Sequence, residues 1–199
     1  MFYPKTKEFQ KSLTPDKVIE MLKEGNQRFI TKTNSGREYH NEIIATAQNP
    51  APWAIIHRCM DSRVLPEVIF DIGVGEVFVT GVAGNIINDD ITGSMEFACE
   101  VTGVKLILIL GHTKCIAVES AMNKVEMGKV TGILEKISPA VDASKNKNDL
   151  TSITELNIKN SIEHLRNSSR IISDLEKAGE IKIAGAMYNV ESGIVTFID

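Results

Sequence analysis

The chain has 199 residues, 43% of them hydrophobic, which is enough for one buried core, and its length favours a single domain over two. A formal net charge of −4 with no long basic run excludes the electrostatic footprint of a nucleic-acid or anionic-membrane binder and points to a small or uncharged partner. No apolar run approaches the roughly 18 residues of a membrane span, the opening MFYPKTKEFQKS has no apolar stretch behind its lysines, and three cysteines are not a disulfide framework, so a cytoplasmic chain with free thiols is expected.

Thr14-Pro15-Asp16 has the form of an N-cap, a proline at the first helical position and an acidic first turn, after which Val18, Ile19, Leu22, Phe29 and Ile30 follow at helical spacing. This predicts an amphipathic helix within an N-terminal helical arm, residues 1–35, ending in a loop around 33–37. Four apolar runs have strand character, at 53–56, 77–79, 105–110 and 181–187. Helical patterns lie between them at 94–101, 117–127 and 153–177, the last with a break near Asn167. The polar stretch SPAVDASKNKNDLTS, residues 138–152, reads as an exposed loop. Gly193 after Glu191-Ser192 predicts a hairpin into a last strand through 194–198. Strands alternating with helices give an α/β fold: a largely parallel central sheet flanked by helices, with an antiparallel edge strand, in one domain of residues 1–199.

The run at 53–56 leads into His57-Arg58-Cys59-Met60-Asp61-Ser62-Arg63. Residues two apart on an extended backbone point to one side, so Cys59, Asp61 and Arg63 can converge at a strand end. The run at 105–110 ends in Gly111-His112-Thr113-Lys114-Cys115. In a parallel sheet these two carboxyl ends can be adjacent, which is where ligands gather in such folds. Cys59, His112 and Cys115 can then meet. Two thiolates and an imidazole suit a tetrahedral, borderline-soft ion, and a Cys₂His set with one open position is a catalytic zinc arrangement. Cys115, opening a helix, would have its thiolate favoured by the positive end of the dipole. Asp61 and Arg63 taken alone are also an ordinary salt bridge. Cys99, inside MEFACEV, reads as a small buried hydrophobe. His57 reads as a buried histidine, with support of the metal ligands as its alternative, and His40 and His164 read as surface residues.

Cys59-Met60-Asp61-Ser62-Arg63-Val64, Pro66-Glu67-Val68-Ile69-Phe70-Asp71, Ala83-Gly84-Asn85, Gly93-Ser94-Met95-Glu96-Phe97-Ala98 and Gly111-His112-Thr113-Lys114-Cys115 resemble, in order and spacing, the β-class carbonic anhydrases. The resemblance covers 52–121, and 185–195 is similar to the family's closing strands. It implies Zn2+ on Cys59, His112 and Cys115, with Asp61 either a fourth ligand or paired with Arg63 and orienting the attacking hydroxide. It further implies reversible hydration of carbon dioxide to bicarbonate, backbone contacts from Gly84 and Asn85 to substrate, and a homodimer or dimer of dimers. In such a dimer Leu22, Phe29 and Ile30 would pack on the partner subunit.

Four positions depart from the family pattern. Ile116 stands where glycine is common and is expected to crowd the pocket; Arg58 stands where a small residue is common. Gly81 belongs to a stretch without the arginine that often precedes the A-G-N turn, a space Arg58 is expected to take. Pro50 stands where a substrate-touching glutamine is common. These departures keep two alternatives open: a hydrolase of carbonyl sulfide or carbon disulfide, and a non-catalytic member that binds zinc or bicarbonate.

Overall fold

A computed structural model of the chain describes residues 6–198; residues 1–5 of the expected arm lie outside it. Helices α1 (Lys7–Ser12), α2 (Pro15–Ile30) and α3 (Tyr39–Thr46) precede strand β1 (Ala54–Arg58), helix α4 (Pro66–Ile69) and strand β2 (Val77–Gly81). A 3₁₀ turn (Ala83–Asn85) leads to α5 (Asp89–Glu96), which runs on as a π-helical turn (Phe97–Val101) into β3 (Leu106–His112). Helices α6 (Ile116–Met122), α7 (Gly128–Ala143), α8 (Leu150–Ser168) and α9 (Arg170–Lys177) follow, then β4 (Lys182–Tyr188) and β5 (Val195–Ile198).

The strands form one sheet in the order β2-β1-β3-β4-β5. The first four are mutually parallel and β5 returns antiparallel at the edge, as the Gly193 turn predicts. Central strand β3 is buried at every position, the signature of a parallel strand covered on both faces. Its side chains alternate between two layers. Leu106, Leu108 and Leu110 pack with Ala54 and Ile56 against Val18 and Leu22 of α2. Ile107 and Ile109 pack with Ile55 against Ile158 and Leu165 of α8 and Ile172 of α9. Each such side chain, removed from water, contributes about 2 kcal/mol before the entropy of ordering it.

Helix α2 starts as expected: the Thr14 side chain accepts from the Lys17 N–H, with Pro15 in the first turn. Its apolar face, however, lies on the sheet of its own chain. Val18 and Leu22 are fully buried there, so Leu22 has no surface left for a partner subunit; Phe29 and Ile30 are only half-buried. The sheet needed a cover on this face, and α2 supplies it.

Two stretches correct the sequence reading. Residues 138–143, expected in a loop, continue α7 through Pro139, with Leu134, Ile137 and Ala140 buried on one stripe; only 144–149 is non-helical. The apolar spacing outweighs the single backbone bond that a proline removes. Helix α3 was not expected. Arg37 and Glu42 tie it to the 71–76 loop: Glu42 accepts from the Val74 N–H at 2.8 Å and pairs with Arg37 at 3.4 Å, while Arg37 also bonds the Asp71 carbonyl. The break expected near Asn167 falls at Ser169, whose hydroxyl caps α9 by accepting from the Ile172 N–H.

Candidate metal centre

The register of the sheet brings the two sequence motifs together. Arg58, the last residue of β1, pairs with Leu110, two residues before His112 at the end of β3. Cys59 therefore leaves its strand beside Gly111. Three residues after His112 the chain turns through Lys114, at φ 56°, and Cys115 stands at the N-cap of α6. A strand end, a neighbouring strand end and a helix start converge on one point.

Among the described residues, the ligating atoms of Cys59, His112 and Cys115 form a group that lies within 4.8 Å of one another, all three residues buried. The two sulfurs are 3.9 Å apart, and both cysteines are free thiols. Tetrahedral bonds of about 2.3 Å to one ion would hold two sulfurs about 3.8 Å apart, so the spacing fits. His112 Nδ1 bonds the Thr113 carbonyl at 2.9 Å, so Nδ1 carries the proton. That leaves Nε2 with a free lone pair, buried and without a hydrogen-bond partner. An orphaned imidazole nitrogen beside two thiols is the donor set of a soft metal ion.

Asp61 is held apart from this group. Its Oδ1 accepts from the Arg63 backbone N–H and Nε, both at 2.9 Å, and its Oδ2 accepts from Arg63 Nη2 at 2.7 Å. The guanidinium is fixed in turn on the Lys114 carbonyl at 3.2 Å. Oδ2 still lies 3.9 Å from His112 Nε2, at the edge of the site. The Arg63 hydrogen bonds hold the Asp61 carboxyl down to about 2, against the smaller opposing effect of its burial. Of the paired thiols, Cys59 is the one favoured as thiolate, because the Cys115 thiol donates to it, helped by backbone N–H groups that include Gly84. Cys115, the donor, is pushed up; the helix-start N–H groups of Ala117 and Val118 oppose this without reversing it.

The A-G-N turn commits its backbone inside the protein. The Gly84 N–H donates to Cys59 Sγ at 3.3 Å and the Asn85 N–H to the Val82 carbonyl, while the Gly84 and Asn85 carbonyls accept from side chains of α8. These backbone groups of Gly84 and Asn85, expected to approach substrate, each already have one partner within the protein, and each carbonyl keeps a second lone pair. What remains is the Asn85 amide, fully buried, both polar atoms without a partner among the described residues.

A family profile described as carbonic anhydrase matches residues 54–195. Carbonic anhydrase 2 of Mycobacterium tuberculosis is 33% identical over 192 residues, covering 90% of both chains. The chain belongs to the β-class carbonic anhydrase family. A carbonic anhydrase of Mycolicibacterium smegmatis is 31% identical, covering 91% of this chain and 92% of its own. Among solved structures, a β-carbonic anhydrase of Aspergillus fumigatus superposes with a TM-score of 0.74 at 24% identity, covering 92% of this chain and 91% of that one. A Coccomyxa β-carbonic anhydrase in complex with acetazolamide gives 0.71 at 23% identity, covering 88% and 83%.

Within this β-carbonic anhydrase, the positions that depart from the family pattern sort by burial. Ile116 is 68% exposed and is not part of the buried cluster that includes Cys59 and Cys115. Arg58 faces Gly81 in the β1–β2 register, and a Cβ at Gly81 would meet its Cγ at 3.6 Å and its Cζ at 3.7 Å. The arginine thus lies across the glycine, as expected, and its Nη1 donates to the Cys59 carbonyl at 2.7 Å. Pro50 is exposed. Cys99 is buried in the core, its thiol pushed up to about 12 by that burial, and His40 and His164 are on the surface, all as read. His57 is buried and bridges Thr80 Oγ1 at 2.9 Å to the Ile86 carbonyl at 3.0 Å, so Nε2 donates and Nδ1 accepts; burial pushes it down to about 4. Sequence reading missed Asn157 and Ser161. The signal was present: two polar residues four apart in the buried stripe Ile153, Asn157, Ser161, Leu165 of α8.

Proposed function

We propose that this chain catalyses the reversible hydration of carbon dioxide to bicarbonate at a zinc ion held by Cys59, His112 and Cys115. The observation that carries the reading is the Asp61–Arg63 pair, which keeps an ionised carboxylate beside the three ligands but off them. Zinc, when bound, supplies the Lewis acidity that makes water a nucleophile near neutral pH.

The chain's own residues do the rest. Asp61, ionised and an acceptor only, takes the proton of the attacking oxygen in a hydrogen bond and so turns its lone pair toward the carbon. Arg63 holds Asp61 in that role and prevents it from closing the fourth position. The His112 bond to the Thr113 carbonyl fixes the tautomer that leaves Nε2 for the metal. The thiolates of Cys59 and Cys115 would cancel the formal charge of a bound zinc ion, which would weaken its hold on an anion. The thiols are backed by a buried apolar cluster that includes Ile86, Val118, Leu134 and Ile137, which fixes their positions.

The same reading makes the chain a homodimer or dimer of dimers. It is supported by exposed apolar side chains at Met60, Phe97 and Val101, and by the tetrameric β-carbonic anhydrases of Sordaria macrospora, which superpose with a TM-score of 0.71. No described helix is long and apolar enough to cross a membrane. The free thiols suit a reducing cytoplasm.

The test is stopped-flow carbon dioxide hydration on zinc-loaded protein, with zinc content measured in parallel. About one zinc per chain and a hydration rate abolished together with the zinc in Cys115→Ala are expected. A fully zinc-loaded chain that hydrates no carbon dioxide would overturn the reading.

A further inference from the structure

The turn that follows β2 is held from outside at three successive carbonyls. Asn157 Nδ2 donates to the Gly84 carbonyl at 2.8 Å, Ser161 Oγ to the Asn85 carbonyl at 3.3 Å, and His57 Nε2 to the Ile86 carbonyl at 3.0 Å. All three donors are buried, at 1%, 6% and 0% exposure. Polar side chains at such positions are costly unless a partner requires them, and here each meets one carbonyl of the same turn. The turn itself needs restraint. Gly84, at φ 67°, and Asn85, at φ 44°, are left-handed in succession, a conformation that costs the glycine nothing but leaves it free to leave again, so outside contacts are what fix the turn.

We propose that Asn157 is a positioning residue of the metal centre, acting through Gly84 on Cys59. The Gly84 carbonyl belongs to the peptide after its Cα and the Gly84 N–H to the peptide before it. Both planes hinge on a glycine, the residue with the most torsional freedom, so anchoring one limits the swing of the other. The anchored N–H points at Cys59 Sγ, 3.3 Å away. An N–H held on a ligating sulfur fixes the direction of its lone pairs and withdraws charge from it, which tunes how strongly that sulfur donates to a metal. Helix α8 therefore reaches the centre in two hydrogen bonds, from a residue 98 positions beyond Cys59 in the sequence. The inference rests on the reading of Cys59 as a metal ligand.

The experiment compares wild type with Asn157→Leu, which keeps the γ-branched outline at the cost of extra bulk and loses the donor, and with Asn157→Ser, too short to reach Gly84, in case the first does not fold. Each is loaded with Co2+ for absorption spectroscopy and with Zn2+ for competition against a chelator. A sulfur freed of its N–H bond is richer in electrons, so the thiolate-to-cobalt charge-transfer band should move to longer wavelength; zinc affinity should still fall roughly tenfold, because the sulfur is no longer held in its ligating orientation and that loss outweighs the gain in donation. A folded variant with the wild-type band and wild-type zinc affinity would overturn the inference, even with a lowered melting temperature, since that would leave Asn157 a merely structural role. Absence of a thiolate band in wild-type cobalt protein would instead overturn the ligand assignment of Cys59.

Discussion

Replacing Gly84 by alanine tests the link between the fold and the metal centre most directly. At φ 67° and ψ 18° the residue is left-handed, which costs an alanine about 1 kcal/mol relative to glycine. The added Cβ would stand 2.5 Å from Ile137 Cδ1 and 3.3 Å from Ala117 Cβ. Ile137 is fully buried, so it cannot swing into solvent, and repacking it costs about 1–2 kcal/mol. The sum is about 2–3 kcal/mol, or a fall in melting temperature of about 4–12 °C for a chain of this size. Circular-dichroism melts of metal-free protein measure this packing cost alone. Melts of zinc-loaded protein should show a larger loss, because the same substitution displaces the N–H held on Cys59. An unchanged melting temperature in the metal-free variant would refute the reasoning, since it would mean that the turn and Ile137 are free to rearrange.

Three further outcomes are expected. In Arg63→Ala the Asp61 carboxyl rises from about 2 toward its ordinary value and is still ionised at neutral pH, so protonation cannot explain any loss of rate; zinc should be retained and hydration should fall roughly tenfold as the freed carboxylate reaches the metal, whereas an unchanged rate would rule out the gate. Burial alone would raise the Asp71 carboxyl, but Arg28 Nε at 2.6 Å and the Ser35 hydroxyl at 2.7 Å together hold it below its ordinary value. A depressed folded value means stability that is full above the unfolded pKa of about 3.9 and is lost as pH falls through the lower folded value, so Asp71→Asn should melt lower at neutral pH and depend less on pH below about 4, as read from thermal melts of metal-free protein. Ile116→Gly should leave the stopped-flow hydration rate unchanged and cost at most about 1 kcal/mol of helix stability, because the exposed side chain is not packed into the cluster that includes the thiols; a faster variant would return Ile116 to the pocket.

Much of the fold and the chemistry of the site are written locally. Parallel strands buried on both faces read as unbroken apolar runs, so β1 and β3 were legible from composition alone. Thr14, Pro15 and Asp16 announced the start of α2 because capping is satisfied within one turn of the backbone. Cys59, Asp61 and Arg63 at alternate positions, and His112 three before Cys115, marked the residues that converge, because each half is fixed by a strand end and the turn after it. Tertiary structure alone decided the rest. Helix α2 covers its own sheet because Val18 and Leu22 find Leu108 and Leu110 there, and nothing in an amphipathic pattern says whose apolar surface it will meet. Helix α7 continues through Pro139 because burial of Ile137 and Ala140 outweighs one lost hydrogen bond, a balance visible only once α8 is packed beside it. The surroundings of Cys59 come from distant parts of the chain: Cys115 Sγ stands 3.9 Å from its sulfur, and the Gly84 donor comes from a turn 25 residues away. Asn157 and Ser161 took on their role because the sheet register sets the A-G-N turn beside α8, where carbonyls in a strained turn need donors that no local residue supplies.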